Sequence, residues 1–264
     1  MSKNPPLISV IMPVFNTPED FLRAAINSIL NQTHKNLELI VIDGSPNNIN
    51  KKSISLYAQK DKRARYIRQS KKKGLPVALN QAVLACRGDY IARMDADDIA
   101  EPKRLEKQVK YLINNKLDIC GCFVKTMKSH GQDRLLTYPC THKKIVGAMA
   151  YSQPIPHPTW LVKKSFYKKF KYNENYREAE DYELLMRALP SVKAGNLPEH
   201  LLKYRIHENS ASLANLKKLE WRTIRIRLRG IFVYKSIPYW KIVYLIIPLI
   251  AFLTPIKLKK YFWK

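Results

Sequence analysis

Alternation in about the first hundred residues constrains the fold most. The run LISVIMPVF (Leu7–Phe15) is continuous, apolar and rich in β-branched residues, which predicts a strand buried on both faces. Thr17-Pro18-Glu19-Asp20 then supplies a helix N-cap, a first-turn proline and an acidic third position. Leu22, Ala25, Ile26, Ile29 and Leu30 follow at helical spacing. LELIVID (Leu37–Asp43) reads as a second strand, closed by Gly44-Ser45-Pro46. A helix around Ile54–Lys60, a short strand ARYIRQ, a helix LPVALNQAVLA and a fourth strand DYIARMD complete the pattern. Strand–helix alternation of this kind predicts a parallel sheet covered by helices, with ligands beyond the carboxyl ends of the strands. Phe15-Asn16, Asp43-Gly44 and Asp95-Ala96-Asp97 all fall at such ends.

The last of these is unusual in its setting. The stretch GDYIARMDADDIAEP places Asp95, Asp97 and Asp98 together in a chain of formal net charge +26. Crowded carboxylates raise one another's pKa unless a cation lies between them, and a hard divalent ion suits oxygen ligands. The competing reading is a solvated turn in which Asp98 caps the helix after Pro102. Three polar strand ends converging on one crevice favour a ligand over a turn.

After Pro102 the regularity loosens. A helix from Lys103 to about Asn114 and an apolar strand DICGCFV are followed by QPIPHPTWLV (Gln153–Val162) and YREAEDYELLMRAL (Tyr176–Leu189). In the latter, Tyr182, Leu185, Met186 and Leu189 mark a helix face, so Glu180 and Asp181 fall in its first turn. A carboxylate there is favoured by the helix dipole, and Asp181 as an N-cap is the competing reading. LLKYRIHENSAS reads as a strand running into a turn at His207.

The balance of 47 Lys+Arg against 21 Asp+Glu implies an anionic partner: nucleic acid, an acidic membrane surface or a phosphorylated ligand. The lysines are widely scattered, which is also what a simple compositional bias produces. Cys86, Cys120, Cys122 and Cys140 lack the paired spacing of a zinc site. Met1–Pro6 is polar, so neither a secretory leader nor an oxidising compartment is expected.

VIMPVFN, LNQT, LELIVIDGS, KGLPVALNQAV, GDYIARMDADDI, HPTWLV, EAEDYELLMR and YRIHENSAS occur in this order across Leu7–Ser212. Together they resemble a family 2 glycosyltransferase of the GT-A fold. The resemblance implies an α/β architecture, a mostly parallel sheet flanked by helices, and transfer of a sugar from a nucleotide donor to an acceptor hydroxyl with inversion. It implies Pro13 and Phe15 lining the nucleoside pocket and Asp43 accepting from the uracil ring nitrogen. Gly74 and Asn80 match the loop and helix that approach the donor. Asp95 and Asp97 form the DXD pair, with Asp97 the direct ligand of Mn²⁺ or Mg²⁺; His207 resembles a histidine facing metal and diphosphate. Asp181 matches the catalytic base, and His157 either packs or contacts the acceptor. Where the family often carries Asp-Asp-Gly-Ser, this chain has Ile42-Asp43-Gly44-Ser45, so the first carboxylate is replaced.

The chemistry suits these residue types on its own terms. A departing nucleoside diphosphate gains negative charge that a bound cation can offset. An acceptor hydroxyl must lose its proton, which a carboxylate can take.

From Leu216 a long helix is expected, with Trp221, Ile224, Leu228 and Ile231 on one stripe and Lys218, Arg222, Arg225 and Arg229 on the next. That profile suits an anionic membrane surface, and equally a helix docked on the catalytic body. Between Lys241 and Lys257 about 15 uncharged residues, interrupted by Pro248, would reach only roughly 22 Å as a straight helix. Spanning needs about 20 apolar residues, so insertion into one leaflet is expected, anchored by Trp240, Tyr261 and Trp263, with a buried tail as the alternative.

The reading that follows is a catalytic domain over residues 1–212, its nucleotide-binding half 1–100 and acceptor-binding half 101–212, and membrane-associating helices over 213–264. Donor and acceptor are a UDP-sugar and a lipid-linked surface glycan, such as a lipopolysaccharide or lipooligosaccharide. The location is the cytoplasmic face of a bacterial inner membrane. Nucleic acid is not an expected partner, because no recognition motif for it is present. A sugar nucleotidyltransferase would carry a Gly-rich loop where this chain reads Pro13-Val14-Phe15-Asn16. The remaining alternative is a non-catalytic protein that binds a nucleotide sugar or anionic lipid.

Overall fold

A computed structural model describes residues 5–46, 50–69, 74–128, 132–206, 216–246 and 249–250. In chain order its elements are β1 (Ile8–Val14), α1 (Glu19–Leu30), β2 (Leu37–Asp43), α2 (Lys51–Lys60), β3 (Ala64–Arg68), α3 (Leu75–Ala85), β4 (Tyr90–Arg93) and β5 (Ile99–Ala100). There follow α4 (Arg104–Asn114), β6 (Ile119–Lys128), β7 (Leu135–Leu136), α5 (His142–Ala148), β8 (Leu161–Lys163), α6 (Lys164–Lys169), α7 (Glu180–Ala188), β9 (Ala194–Ile206) and α8 (Leu216–Phe232). Single turns of 3₁₀ helix occupy His157–Thr159 and Leu189–Ser191, and a longer one Tyr239–Leu245.

One nine-stranded sheet runs in the order β3-β2-β1-β4-β8-β6-β9-β5, with β7 pairing β6. From β3 to β4 the pairing is parallel throughout. Beyond β4 the strand–helix alternation stops and the sheet becomes mixed. β8 lies antiparallel to both β4 and β6, β9 runs parallel to β6, and β5 antiparallel to β9. The sheet therefore continues unbroken across residue 100.

Successive residues of β1 go to opposite sides. Ile11 joins the core beneath α3 and α7, which includes Leu79, Trp160 and Leu185, whereas Val10 and Met12 join the core beneath α1 and α4, with Leu22, Ile26 and Leu105. A strand sandwiched this way is apolar on both faces, and its one polar side chain, Ser9, is buried with a hydrogen bond to Glu38.

One sequence expectation at a helix start is corrected and two competing readings are removed. α1 begins at Glu19 with Pro18 in the N-cap position and no side-chain cap, while Thr17 instead offers its carbonyl to Asn50 Nδ2 at 2.8 Å. Asp98 does not cap α4, whose cap position is Lys103; it reaches across the sheet to β9. α7 starts at Glu180 with Ala179 in the cap position, so Asp181 is not its N-cap.

α8 docks on the catalytic body through Ile224, Ile226, Arg227 and Ile231, all buried, and leaves Trp221 half exposed. Among the described residues no helix is long and apolar enough to cross a membrane. Tyr261, Trp263 and the rest of the tail from residue 251 lie outside the described residues.

Candidate active site

The strand ends predicted to converge do so through β1, β2 and β4, which pair side by side. At the end of β1, Pro13 is half-buried and Phe15 exposed, and Asn16 takes a left-handed φ of 51°, a conformation asparagine tolerates. Its backbone N–H donates to Ser45 Oγ at 2.9 Å. At the end of β2, Asp43 is fully buried; Oδ1 accepts from the Ser45 N–H at 2.9 Å and Oδ2 from Arg68 at 3.1 Å. Gly74, with φ of 124°, opens α3 beside Arg177: a side chain there would be strained and would crowd its guanidinium. Asn80 does not point a spare amide at this crevice. It clamps the Tyr172 backbone in both directions, accepting from the N–H at 3.0 Å and donating to the C=O at 2.9 Å.

β4 delivers the acidic cluster. Arg93 holds Asp95 with both terminal nitrogens, at 2.6 and 2.5 Å. Asp98 is buried; Oδ1 accepts from the Arg205 N–H at 2.8 Å and Oδ2 has no partner among the described residues. Arg205 also donates to the Asp97 carbonyl at 2.9 Å and lies 3.8 Å over the Phe21 ring. Burial, then the charges of Asp95 and Asp97, push the Asp98 carboxyl well above the usual carboxylate range. Burial raises Asp95 too, against the pull of Arg93. Crowding thus disfavours the charged forms of Asp95 and Asp98, a penalty that a bound cation relieves. No group of three or more His, Cys, Asp or Glu among the described residues is arranged to enclose a metal ion. A divalent ion commonly takes one or two carboxylates from the protein and its other ligands from phosphate and water, which Asp97 and Asp95 match in number and type, although Arg93 already engages both Asp95 oxygens. His207 lies outside the described residues.

The second carboxylate set comes from the start of α7. Asp181 Oδ2 accepts from Gln153 Nε2 at 3.0 Å and Oδ1 from the Tyr182 N–H at 2.7 Å. The adjoining Glu180 is buried, and burial together with the Asp181 charge pushes its carboxyl up to about 8. His157 lies with Nδ1 4.0 Å from Asp181 Oδ2 and shares a 2.9 Å hydrogen bond with the Tyr172 hydroxyl, itself 2.7 Å from Tyr167 Oη. Burial and the Arg93 charge hold this imidazole well below its ordinary pKa, so it stands neutral beside Asp181. The charge of Arg93, which pairs with Asp95, is thus also felt at His157 and Glu180.

A cleft of about 300 Å³ opens beside Asp181, lined by Gln153, Tyr182 and the α8 residues Leu219, Thr223 and Arg227. Arg93, Gln153, Arg205 and the α8 wall were not singled out as site residues from sequence. Only Arg93 carried a local signal, as the last residue of β4, two before Asp95.

Residues 9–177 match the sequence profile of Glycosyl transferase family 2. An uncharacterized glycosyltransferase of Methanocaldococcus jannaschii is 35% identical over 92% of this chain and 89% of its own length. The O-antigen biosynthesis glycosyltransferase WbnJ of Escherichia coli is 35% identical over 84% of this chain and 88% of its own length. Among solved structures, S. aureus TarS 1-349 in complex with UDP-GlcNAc superposes with a TM-score of 0.73 at 15% identity, covering 96% of this chain and 77% of that one. The Pyrobaculum calidifontis mannosyltransferase PcManGT, with GDP-Man and Mn²⁺, gives 0.63 at 14% identity over 98% of this chain and 79% of that one. These two show the same GT-A type of fold. With two thirds of its sequence under the profile and close relatives over nearly its full length, the chain is a sugar-transferring enzyme of glycosyl transferase family 2.

Proposed function

We propose that the chain moves a hexose or N-acetylhexosamine from a UDP-sugar to a hydroxyl of a glycan acceptor, inverting the anomeric configuration by a single displacement. The carrying observation is that two carboxylate sets lie close enough for their charges to act on one another: Asp95 and Asp97 at the β4 end, with Asp95 held by the buried Arg93, and Glu180 and Asp181 at the α7 start. Asp97 and Asp95, with His207, would hold Mn²⁺ or Mg²⁺, which when bound offsets charge on the diphosphate leaving group. Pro13, Phe15 and Asp43 bind the nucleoside, and Gly74 and Asn80 shape the donor side. Asp181 takes the acceptor proton; Gln153 fixes its carboxylate, and the neutral His157 adds no competing positive charge.

UDP is favoured by the TarS complex with UDP-GlcNAc, whereas the PcManGT complex with GDP-Man and Mn²⁺ supports the metal and keeps GDP as the competing nucleotide. The E. coli O-antigen relative supports a lipid-linked surface glycan as acceptor, in the manner of lipopolysaccharide or lipooligosaccharide. An anionic membrane surface is the proposed platform, on the cytoplasmic face of a bacterial inner membrane. Its support is an apolar strip near the C-terminal end of the described chain, where Tyr239, Trp240, Val243 and Ile246 are 79%, 60%, 53% and 51% exposed, with Arg225, Arg229 and Lys235 exposed nearby.

Calorimetric titration with UDP-, GDP- and dTDP-sugars, each with Mn²⁺ and with EDTA, tests the donor site. Metal-dependent binding of a UDP-sugar is expected; absence of binding by every nucleotide sugar to folded protein would remove it.

A further inference from the structure

The C-terminal helix does more than cover the catalytic body. Leu219, Thr223 and Arg227 recur every fourth residue on α8 and form one stripe, and that stripe is a wall of the cleft whose opposite wall holds Gln153, Asp181 and Tyr182. We propose that this cleft holds the terminal sugar of the acceptor, and that α8 is a specificity element of the transferase. The inference rests on the reading of Asp181 as the base.

Size, charge and hydrogen bonding point to a neutral polyol. About 300 Å³ is at the small end of ligand pockets and suits one sugar ring rather than a chain. The formal charges around it balance: Asp181 and Arg227 both line the cleft, and the lining Glu178 is ion-paired with Arg222. The polar groups are mostly ready to accept. Asp181 is a carboxylate, which only accepts, so Gln153 must turn its NH₂ towards it, leaving Oε1 buried and without a partner among the described residues, an orphan acceptor that a ligand hydroxyl reaching it would satisfy. Thr223 donates its proton to the Leu219 carbonyl at 2.8 Å, and its lone pairs remain for a ligand hydroxyl. A sugar whose reacting hydroxyl meets Asp181 would donate its neighbouring hydroxyl to Gln153. Leu219, Ala179 and Tyr151 supply apolar surface for the C–H face of the ring.

The wall is held in place from behind. Arg227 is buried, donating through Nε to Tyr182 Oη at 3.1 Å and through Nη1 to the Tyr244 carbonyl at 3.2 Å. Tyr151, on the cleft rim, packs at 5.5 Å against the Tyr244 ring in the exposed apolar segment. A sugar in the cleft thus sits beside the strip that a lipid carrier would follow.

Two substitutions separate this role from folding. Leu219→Trp fills the cleft, and Thr223→Val removes the hydroxyl at nearly constant volume; Lys60→Ala on α2 is the control, and thermal melting verifies each fold. The acceptor probes are octyl β-glycosides of glucose, galactose, N-acetylglucosamine and N-acetylgalactosamine, with whichever UDP-sugar binds the wild-type chain. The expectation is transfer to at least one probe, an acceptor KM raised at least about tenfold by Leu219→Trp and about three- to tenfold by Thr223→Val, with the donor KM moved less than about twofold. Equal acceptor KM in Leu219→Trp and wild type overturns the proposal. Donor hydrolysis without transfer to any probe also overturns it as a one-sugar subsite. Failure of every UDP-sugar to bind is a different result and removes the donor reading instead.

Discussion

Arg93 and Asp95, two residues apart on one strand and its exit, form a bidentate ion pair at 2.6 and 2.5 Å with the arginine side chain 5% exposed. A guanidinium so buried is tolerated because the carboxylate is fixed opposite it. The pair divides the labour among the aspartates: Asp95 is already matched by a cation of the protein.

With Asp95 so engaged, Asp97 is the expected direct metal ligand. Asp97→Asn should weaken metal-dependent UDP-sugar binding by at least about 100-fold, since even outer-shell losses at metal sites cost 10–100-fold. Calorimetry with and without Mn²⁺ measures this, and unchanged metal dependence would exclude the role.

Asp181→Asn should leave donor affinity within about twofold and lower kcat by roughly 10²–10⁴, the usual contribution of a positioned general base. A proportional loss of donor affinity would mean that Asp181 holds the donor rather than the acceptor proton.

Glu180 gives the fold a pH signature. Its folded pKa of about 8 lies above the ordinary 4.5, so between these values the folded chain holds a proton that the unfolded chain has released. The corresponding stability is fully present below pH 4.5 and is lost as pH rises through 8. Glu180→Gln should therefore gain thermal stability relative to wild type progressively from pH 5 to 8.5. A constant difference across that range in melting experiments would show that the group is not buried as described.

Much of the fold was legible because burial on two faces leaves a strong mark. β1 and β2 are predominantly apolar and buried along nearly their whole length, and α1, α4 and α7 carry helical periodicity between them. β8 was not legible: three residues cannot display a period, and they become a strand only because β4 and β6 flank them. The start of β9 was missed for a different reason. Ala194-Gly195-Asn196-Leu197-Pro198 has poor strand propensity, and the register slips around Phe123, where Leu197 pairs with Cys122 but His200 with Phe123. In the site, the carboxylates announced themselves through local motifs, whereas Gln153 and the α8 stripe acquire meaning only from contacts across distant parts of the chain. For α8 the sequence left docking and membrane contact as equal readings, and only contacts of the same long range show it docked on α7.

Arg104 joins the two carboxylate regions. Fully buried, it donates to the Arg93 carbonyl at 2.8 Å and the Pro158 carbonyl at 2.7 Å, while Gln108 steadies its Nε at 3.0 Å. Arg104→Met removes both donations and leaves buried carbonyls unsatisfied, so unfolding free energy should fall by about 2–4 kcal/mol in urea titrations. A change below about 0.5 kcal/mol would refute that bridge.

Trp240→Ala should reduce co-sedimentation with vesicles containing anionic lipid by about threefold or more, with little effect on neutral vesicles, where binding is already weak. Equal binding of both proteins to both vesicle types would sever the exposed strip from the membrane.

The place of β8 in the sheet has a consequence during synthesis. β3, β2, β1 and β4 are complete once residue 93 has been made, and they can pair in parallel at once. The next strand against β4 is β8, which ends at Lys163, and β9 follows only by Ile206. While the intervening stretch is being translated, the nascent chain carries an open edge along β4. Slowing elongation through residues 100–160 would prolong that exposure, and chaperone demand should peak there.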